Sequence, residues 1–287
     1  MSFGAKKNTR ANTEVVQFRD LEAIWYLPRA KEPGFMRWLV TWVGGPAGFI
    51  NPSIGSSVIS ENMAVGFMSL PRGQRQSGLH AHTVAEIYVI LKGRLMGWDG
   101  RGENHIANTG DCVYIPAGVP HGVRCYGSED AELIWIHDNI ERKDAVTYFT
   151  GPGPYPQSDD IKVIRYKDLE PSYDAPRCKE PEFMRWNISY VGGPHGFTNH
   201  NPEQAALSRS IHIGVLALDP AQKEVPFSAD EDELYILLDH EVVVSAGSEQ
   251  GRSLERLDGV FFRRGEMRAV RNYGRKTVNF LTVRPFG

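Results

Sequence analysis

The stretch that decides the fold reads Leu79-His80-Ala81-His82-Thr83-Val84-Ala85-Glu86-Ile87-Tyr88-Val89-Ile90-Leu91. It is rich in Ile, Val, Leu and Tyr and holds no Pro or Gly, a composition that favours a β-strand. On a strand, residues of one parity face one side. His80, His82 and Glu86 share a parity, and Tyr88 and Ile90 continue that face. On a helix, His80 and His82 would stand about 200° apart and could not meet one ion.

About forty residues on, a second strand-like segment supplies His121, in Gly110-Asp-Cys-Val-Tyr-Ile-Pro116-Ala-Gly118-Val-Pro-His121. Pro116-Ala-Gly118 signals a tight turn, with Gly able to adopt backbone angles that other residues avoid. Three imidazoles and a carboxylate form a borderline nitrogen/oxygen donor set. His80, His82, Glu86 and His121 are therefore the expected metal ligands, for Fe(II), Mn(II), Ni(II), Cu(II) or Zn(II). On a six-coordinate ion, four protein ligands leave two positions for water, substrate or dioxygen.

These residues resemble the cupin superfamily. The family pattern is His-x-His, a Glu three or four residues later and a Gly after six. A second motif runs Gly-x5-Pro-x-Gly-x2-His-x3-Asn. The chain supplies His80, His82, Glu86 and Gly93, then Gly110, Pro116, Gly118 and His121. Gly73 is one residue further from His80 than the pattern has it, and Cys125 stands at the final Asn position. The resemblance implies a jelly-roll barrel, a double-stranded β-helix, with a metal-centred pocket. It does not imply a reaction, because one fold hosts many functions.

The chain also repeats itself. Glu32-Pro-Gly-Phe35-Met36-Arg37-Trp38 matches Glu180-Pro-Glu-Phe183-Met184-Arg185-Trp186 at an offset of 148. Val43-Gly44-Gly45-Pro46-Ala-Gly48-Phe49 matches Val191-Gly192-Gly193-Pro194-His-Gly196-Phe197 at the same offset. This is one duplicated unit rather than a short-period array. The resemblance is thus to two-domain bicupins. The expected fold is all-β, two jelly-roll barrels in tandem, over residues 1–150 and 151–287, with Gly151-Pro-Gly-Pro154 as linker.

Aligning Glu86 with Glu233 places Phe227 at the His80 position and Ala229 at the His82 position. Aligning Gly110 with Gly259 places His121 near Val270. The second barrel is therefore expected to bind no metal and to serve as frame, with Phe227 and Val270 available to line an apolar pocket. The segments carrying Trp38, Trp42 and Trp186 are expected to pack between the barrels, with a pocket lid as the alternative.

Net charge is −3, with no basic run, which argues against nucleic acid as partner. No apolar stretch approaches the roughly 20 residues of a membrane span. The N-terminal segment lacks a hydrophobic signal core, so a cytoplasmic protein is expected. Cys112, Cys125 and Cys178 make no disulfide framework and read as small buried residues.

The pocket lining is expected to include Tyr88, Ile90 and Val123. Leu133-Ile-Trp135-Ile-His137 should turn either Trp135 and His137 or Ile134 and Ile136 inward. Glu86, Tyr88 and His137 are the candidate catalytic groups: Glu86 as a base, Tyr88 orienting a substrate oxygen, His137 as acid or base, with simple packing for Tyr88 and a strand-end position for His137 as the alternatives. The reading that follows is an enzyme using one divalent metal, Fe(II) before Mn, Ni, Cu or Zn, on a small molecule. Two open positions suit dioxygen chemistry, as in the cupin dioxygenases the site resembles, so a dioxygenase is expected. The apolar inward positions near the ligands favour an aromatic or polyketide-like substrate over a sugar. A redox-neutral isomerase, cyclase, lyase or decarboxylase is the alternative, and a non-enzymatic small-molecule binder a third. Resemblance and exposed strand edges also imply a homodimer.

Overall fold

A computed structural model describes residues 14–45, 55–142, 145–193, 203–246 and 249–286. The second parts of the two Gly-Gly-Pro segments lie outside the described residues, and with them the expected lid. Among the described residues the chain is built from strands, with two single-turn 3-10 helices at Phe18–Asp20 and Tyr166–Asp168. Among the described residues no helix is long and apolar enough to cross a membrane.

The strands form two barrels, each a larger sheet facing a smaller one. In the first, a seven-stranded sheet carries Glu86–Lys92 and Ala131–His137 at its centre. It faces a five-stranded sheet that includes Leu79–Ala81, His121–Cys125 and Arg94–Asp99. In the second, a seven-stranded sheet centred on Glu233–Leu237 and Val278–Pro285 accompanies a three-stranded sheet. Alternation along each strand serves two cores. Ile134 and Ile136 join the core between the two large sheets, while Leu133 and Trp135 join the core inside the first barrel.

The two halves exchange strands reciprocally. Glu14–Val16 pairs with the strand Gly259–Phe262 of the second barrel. Its repeat partner, Lys162–Ile164, pairs with Cys112–Ile115 of the first. The same symmetry governs the polar contacts across the joint. Trp42 donates its indole N–H to the Leu257 carbonyl at 2.9 Å, and Tyr190 donates its hydroxyl to the Gly110 carbonyl at 2.6 Å. The Phe18 amide donates to Asp258, and the Tyr166 amide to Asp111.

The apolar core between the large sheets draws Trp42, Ile87 and Ile136 from one half and Tyr190, Ile236 and Phe261 from the other. Trp38 and Trp186 pack against it. All three cysteines are buried and free.

These contacts also correct the alignment of the repeats. The Gly110 amide donates to the Ile90 carbonyl, and the Leu257 amide donates to the Leu237 carbonyl in the same place. Leu257 holds a φ of 72°, where Gly110 has 89°. Leu257, not Gly259, is therefore the counterpart of Gly110. A leucine kept in a backbone conformation suited to glycine concealed the register.

Trp42 is completely buried and bridges both halves. Trp42→Ala is expected to cost roughly 3–5 kcal/mol, the usual penalty for emptying a large aromatic site. Trp42→Phe keeps most of the packing but leaves the Leu257 carbonyl unpaired, costing about 1–3 kcal/mol. Urea unfolding of the two variants checks the order; equal stabilities would contradict a hydrogen-bonded joint.

Candidate metal centre

A straight strand from His80 to Glu86 would carry these side chains about 20 Å apart, too far for one ion. The single strand expected over Leu79–Leu91 is in fact two, Leu79–Ala81 and Glu86–Lys92, lying in different sheets. The chain turns a corner at residues 82–85. Two carboxylates hold that corner by accepting its amides: Glu141 takes the Thr83 N–H at 2.5 Å and Asp138 the Ala85 N–H at 2.9 Å. The corner folds His80 and His82 back over Glu86.

The other side of the site is fixed by the Pro116–Gly118 turn. Gly118 has a φ of 78°, and its amide donates to the His82 carbonyl at 2.7 Å. His121 opens the following strand and pairs directly with His80.

One ligand atom from each of His80, His82, Glu86 and His121 lies within 4.8 Å of the others. His121 Nε2 stands 2.8 Å and His82 Nε2 3.2 Å from the Glu86 carboxylate. The far ring nitrogens are both engaged. His121 Nδ1 donates to the Val119 carbonyl at 2.9 Å, and His82 Nδ1 contacts Glu141 at 2.5 Å. Such outer contacts orient imidazoles and leave the inner nitrogen to a metal. The donor set and its convergence fit one divalent ion.

Electrostatics agree. Burial would raise the Glu86 carboxyl, but His82, His121 and His137 outweigh it and hold the group well below the ordinary carboxylate range. Burial opposes charge on His82, yet Glu86 and Glu141 lift its imidazole to about 10. Burial, then the neighbouring His121 and His82, keeps His80 well below its usual value. The protein thus gathers positive charge around Glu86, and an incoming ion displaces protons to bind.

Sequence reading did not find Glu141. It lies in a loop with no periodicity to mark it; its one trace is an acid placed shortly after His137. His137 does reach the cluster, with Nε2 3.6 Å from Glu86 and its ring centre 4.7 Å from that of His82.

A cavity of about 80 Å³ opens beside the cluster. Trp135 and His137 line it together with Tyr88, settling which face of Leu133–His137 turns inward. Arg37, Gln76 and Tyr148 also border it and were not anticipated. Ile90 and Val123, expected in the lining, pack instead in the barrel core. The Trp135 indole N–H is buried and makes no hydrogen bond among the described residues, and the buried Tyr88 hydroxyl lies beside Glu86 and Gln76 without meeting either in good hydrogen-bond geometry. Burial, then the Glu86 charge, pushes the Tyr88 phenol well above its ordinary value, so it stays protonated.

In the second barrel Phe227 bridges to Arg268 as His80 pairs with His121. The residue at the His121 position is therefore Arg268, not Val270, which packs in the second barrel's own core. Arg268 forms a buried ion pair with Glu233. A fixed guanidinium stands where the first barrel offers an imidazole. Among the described residues, the groups of three or more candidate ligands that lie together all belong to the first barrel.

Residues 66–137 match the cupin domain family. No curated protein matches the sequence. Among solved structures, the chain is similar to AerE from Microcystis aeruginosa, at 11% identity and TM-score 0.60, over 96% of this chain and 99% of that one. A variant of the oxalate decarboxylase of Bacillus subtilis aligns at 16% identity and TM-score 0.63, over 96% and 78%. A variant of salicylate 1,2-dioxygenase from Pseudoaminobacter salicylatoxidans aligns at 13% and 0.58, over 82% and 75%. The chain thus has the two-barrel fold of these structures, with a cupin domain match and a candidate metal centre in its first barrel.

Two measurements test this account. Glu141→Gln should weaken divalent-metal affinity roughly 10–100-fold by loosening His82, as read by competition with a chromophoric chelator. In the second barrel, burial raises buried Glu224 from 4.5 to about 7. Folded protein therefore keeps that proton where unfolded chain has lost it. The resulting stabilisation is complete below pH 4.5 and is lost as pH rises through about 7. Glu224→Gln should flatten the stability profile across that window in thermal unfolding; an unchanged slope would count against the assignment.

Proposed function

We propose that residues 1–150 form the working unit of a mononuclear metal-dependent enzyme, most simply a dioxygenase acting on a small aromatic or polyketide-like molecule. Residues 151–287 form the companion unit. One observation carries the reading: two buried donors, the Tyr88 hydroxyl and the Trp135 indole, stand unpartnered on the wall of the cavity beside the His80–His82–Glu86–His121 cluster. Buried donors without partners are costly. A substrate offering acceptor oxygens, such as a phenolate or enolate, would satisfy them.

His80, His82, Glu86 and His121 would hold the ion, which when bound supplies a site for substrate oxygen and dioxygen side by side; Fe(II) suits that chemistry best. The remaining work falls to the chain's own groups. Tyr88 donates to the substrate oxygen and orients it. Arg37 is buried at the cavity edge and supplies fixed positive charge toward an anionic substrate. Leu39, Met68 and Trp135 form an apolar wall that keeps water out. The small volume admits a compact molecule or the reacting end of a larger one. His137, close to Glu86, can take or return a proton at the substrate.

That His137–Glu86 pair also favours a second reading, redox-neutral proton transfer in an isomerase, cyclase, lyase or decarboxylase. Protein loaded anaerobically with Fe(II) separates the two. With a panel of phenols and 1,3-diketones, dioxygen consumption proportional to bound iron supports the dioxygenase. Turnover at an unchanged rate without dioxygen would replace it with the second reading, and no turnover with tight substrate binding would leave a binding protein. Tyr88→Phe should lower kcat/KM about tenfold or more while metal content stays constant. A homodimer in the cytoplasm remains part of the proposal.

A further inference from the structure

The largest change between the two barrels is in the cavity, not the frame. The second barrel encloses about 420 Å³, against about 80 Å³ in the first. Strand registers give the reason residue by residue. His137 lies opposite Ala64, and Arg284 lies opposite His212 in the same place. One step back along each strand, Trp135 opposes Gly66 and Thr282 opposes Gly214. An indole has thus become a threonine, and an imidazole a guanidinium. Leu39, opposite Met68, becomes Asn187, opposite Leu216.

The charges are rearranged to match. Arg185 is buried at the cavity wall, and its two terminal nitrogens donate to the carbonyls of Phe183 and Pro176, which do not neutralise it. Arg284 lines the same space. Behind it, Arg268 stacks 4.8 Å over the Phe227 ring and pairs with Glu233. Its Nε and Nη1 are buried without a hydrogen-bond partner among the described residues.

Among the described residues, these three guanidiniums share the site with two buried carboxylates, Glu233 and Glu224, and with Asp174 at the exposed rim. Glu224 sits near 7 through burial and so carries a partial charge at neutral pH. Arg185 and Arg284, the latter also 5.7 Å over the Phe286 ring, thus place two guanidiniums on the cavity wall besides the one held in the Arg268–Glu233 pair. Phe227, Val225 and Pro176 complete the wall with apolar surface.

We propose that the second barrel is a separate, metal-free binding site for a small organic carboxylate, its acid group held by Arg284 and Arg185 and its apolar body against Phe227. A volume of 420 Å³ lies within the range of small-molecule sites. Arg268 fills the place of a metal ligand, so the pocket takes its positive charge from the chain itself. The site is independent of the chemistry proposed for the first barrel.

Calorimetric titration of chelator-treated full-length protein with benzoate and with hexanoate tests the site, with benzylamine as the cationic counterpart. At least one acid should bind at a single site, and His82→Ala should leave that binding unchanged. Arg284→Met should weaken it roughly tenfold or more, the loss expected for a charge-assisted hydrogen bond. Thr282→Trp, which restores the bulk of the first barrel, should abolish it. Ligand-free melting confirms that each variant folds; if one does not, the other carries the comparison. A benzoate-soaked crystal of the unaltered chain locates the ligand without any substitution. The proposal is overturned if neither acid binds at up to about 10 mM, if both folded cavity variants bind as the parent does, if His82→Ala removes binding, if benzylamine binds instead, or if benzoate appears only in the first barrel.

Discussion

Glu86 is buried inside the first barrel, and a carboxylate removed from water must be met by positive charge or by donors. His82, His121 and His137 meet it. The arrangement around it follows from that need: the chain corner at residues 82–85, the Pro116–Gly118 turn and the inward face of Ala131–His137 each deliver an imidazole. Imidazoles can surrender their protons, so the same compensation can pass to a metal ion.

The second barrel keeps the carboxylate and changes the compensation. Glu233 is met by Arg268, whose charge cannot be surrendered. One strand architecture therefore supports two electrostatic solutions, one exchangeable for a cation and one permanent. Arg185 and Arg37, repeat partners, bind the carbonyls of their own loops in the same way. The frame around the cavities has been kept while their contents diverged.

The joint between the barrels is conservative for a physical reason. Each large sheet receives a strand from the other half, and Trp42 and Tyr190 each donate a hydrogen bond across the boundary. Each exchanged strand forms one edge of the sheet it joins. Drift at this joint would cost stability in both barrels, whereas drift within one cavity changes only that cavity.

The β-strand composition, the spacing of His80, His82, Glu86 and His121, and the matching Phe-Met-Arg-Trp segments determined the fold class, the repeat and the four clustered residues. These are legible because they rest on local composition and on identity at fixed separation. The break in the strand at residues 82–85, the support from Glu141, and the inward turn of Trp135 and His137 were decided only in three dimensions. Each depends on a partner far along the chain, and no periodicity marks it. The Arg268 substitution was hidden differently. Leu257 occupies a backbone conformation that usually calls for glycine, so glycine-to-glycine matching shifted the register by two residues and passed over the arginine that stands at the His121 position of the second barrel.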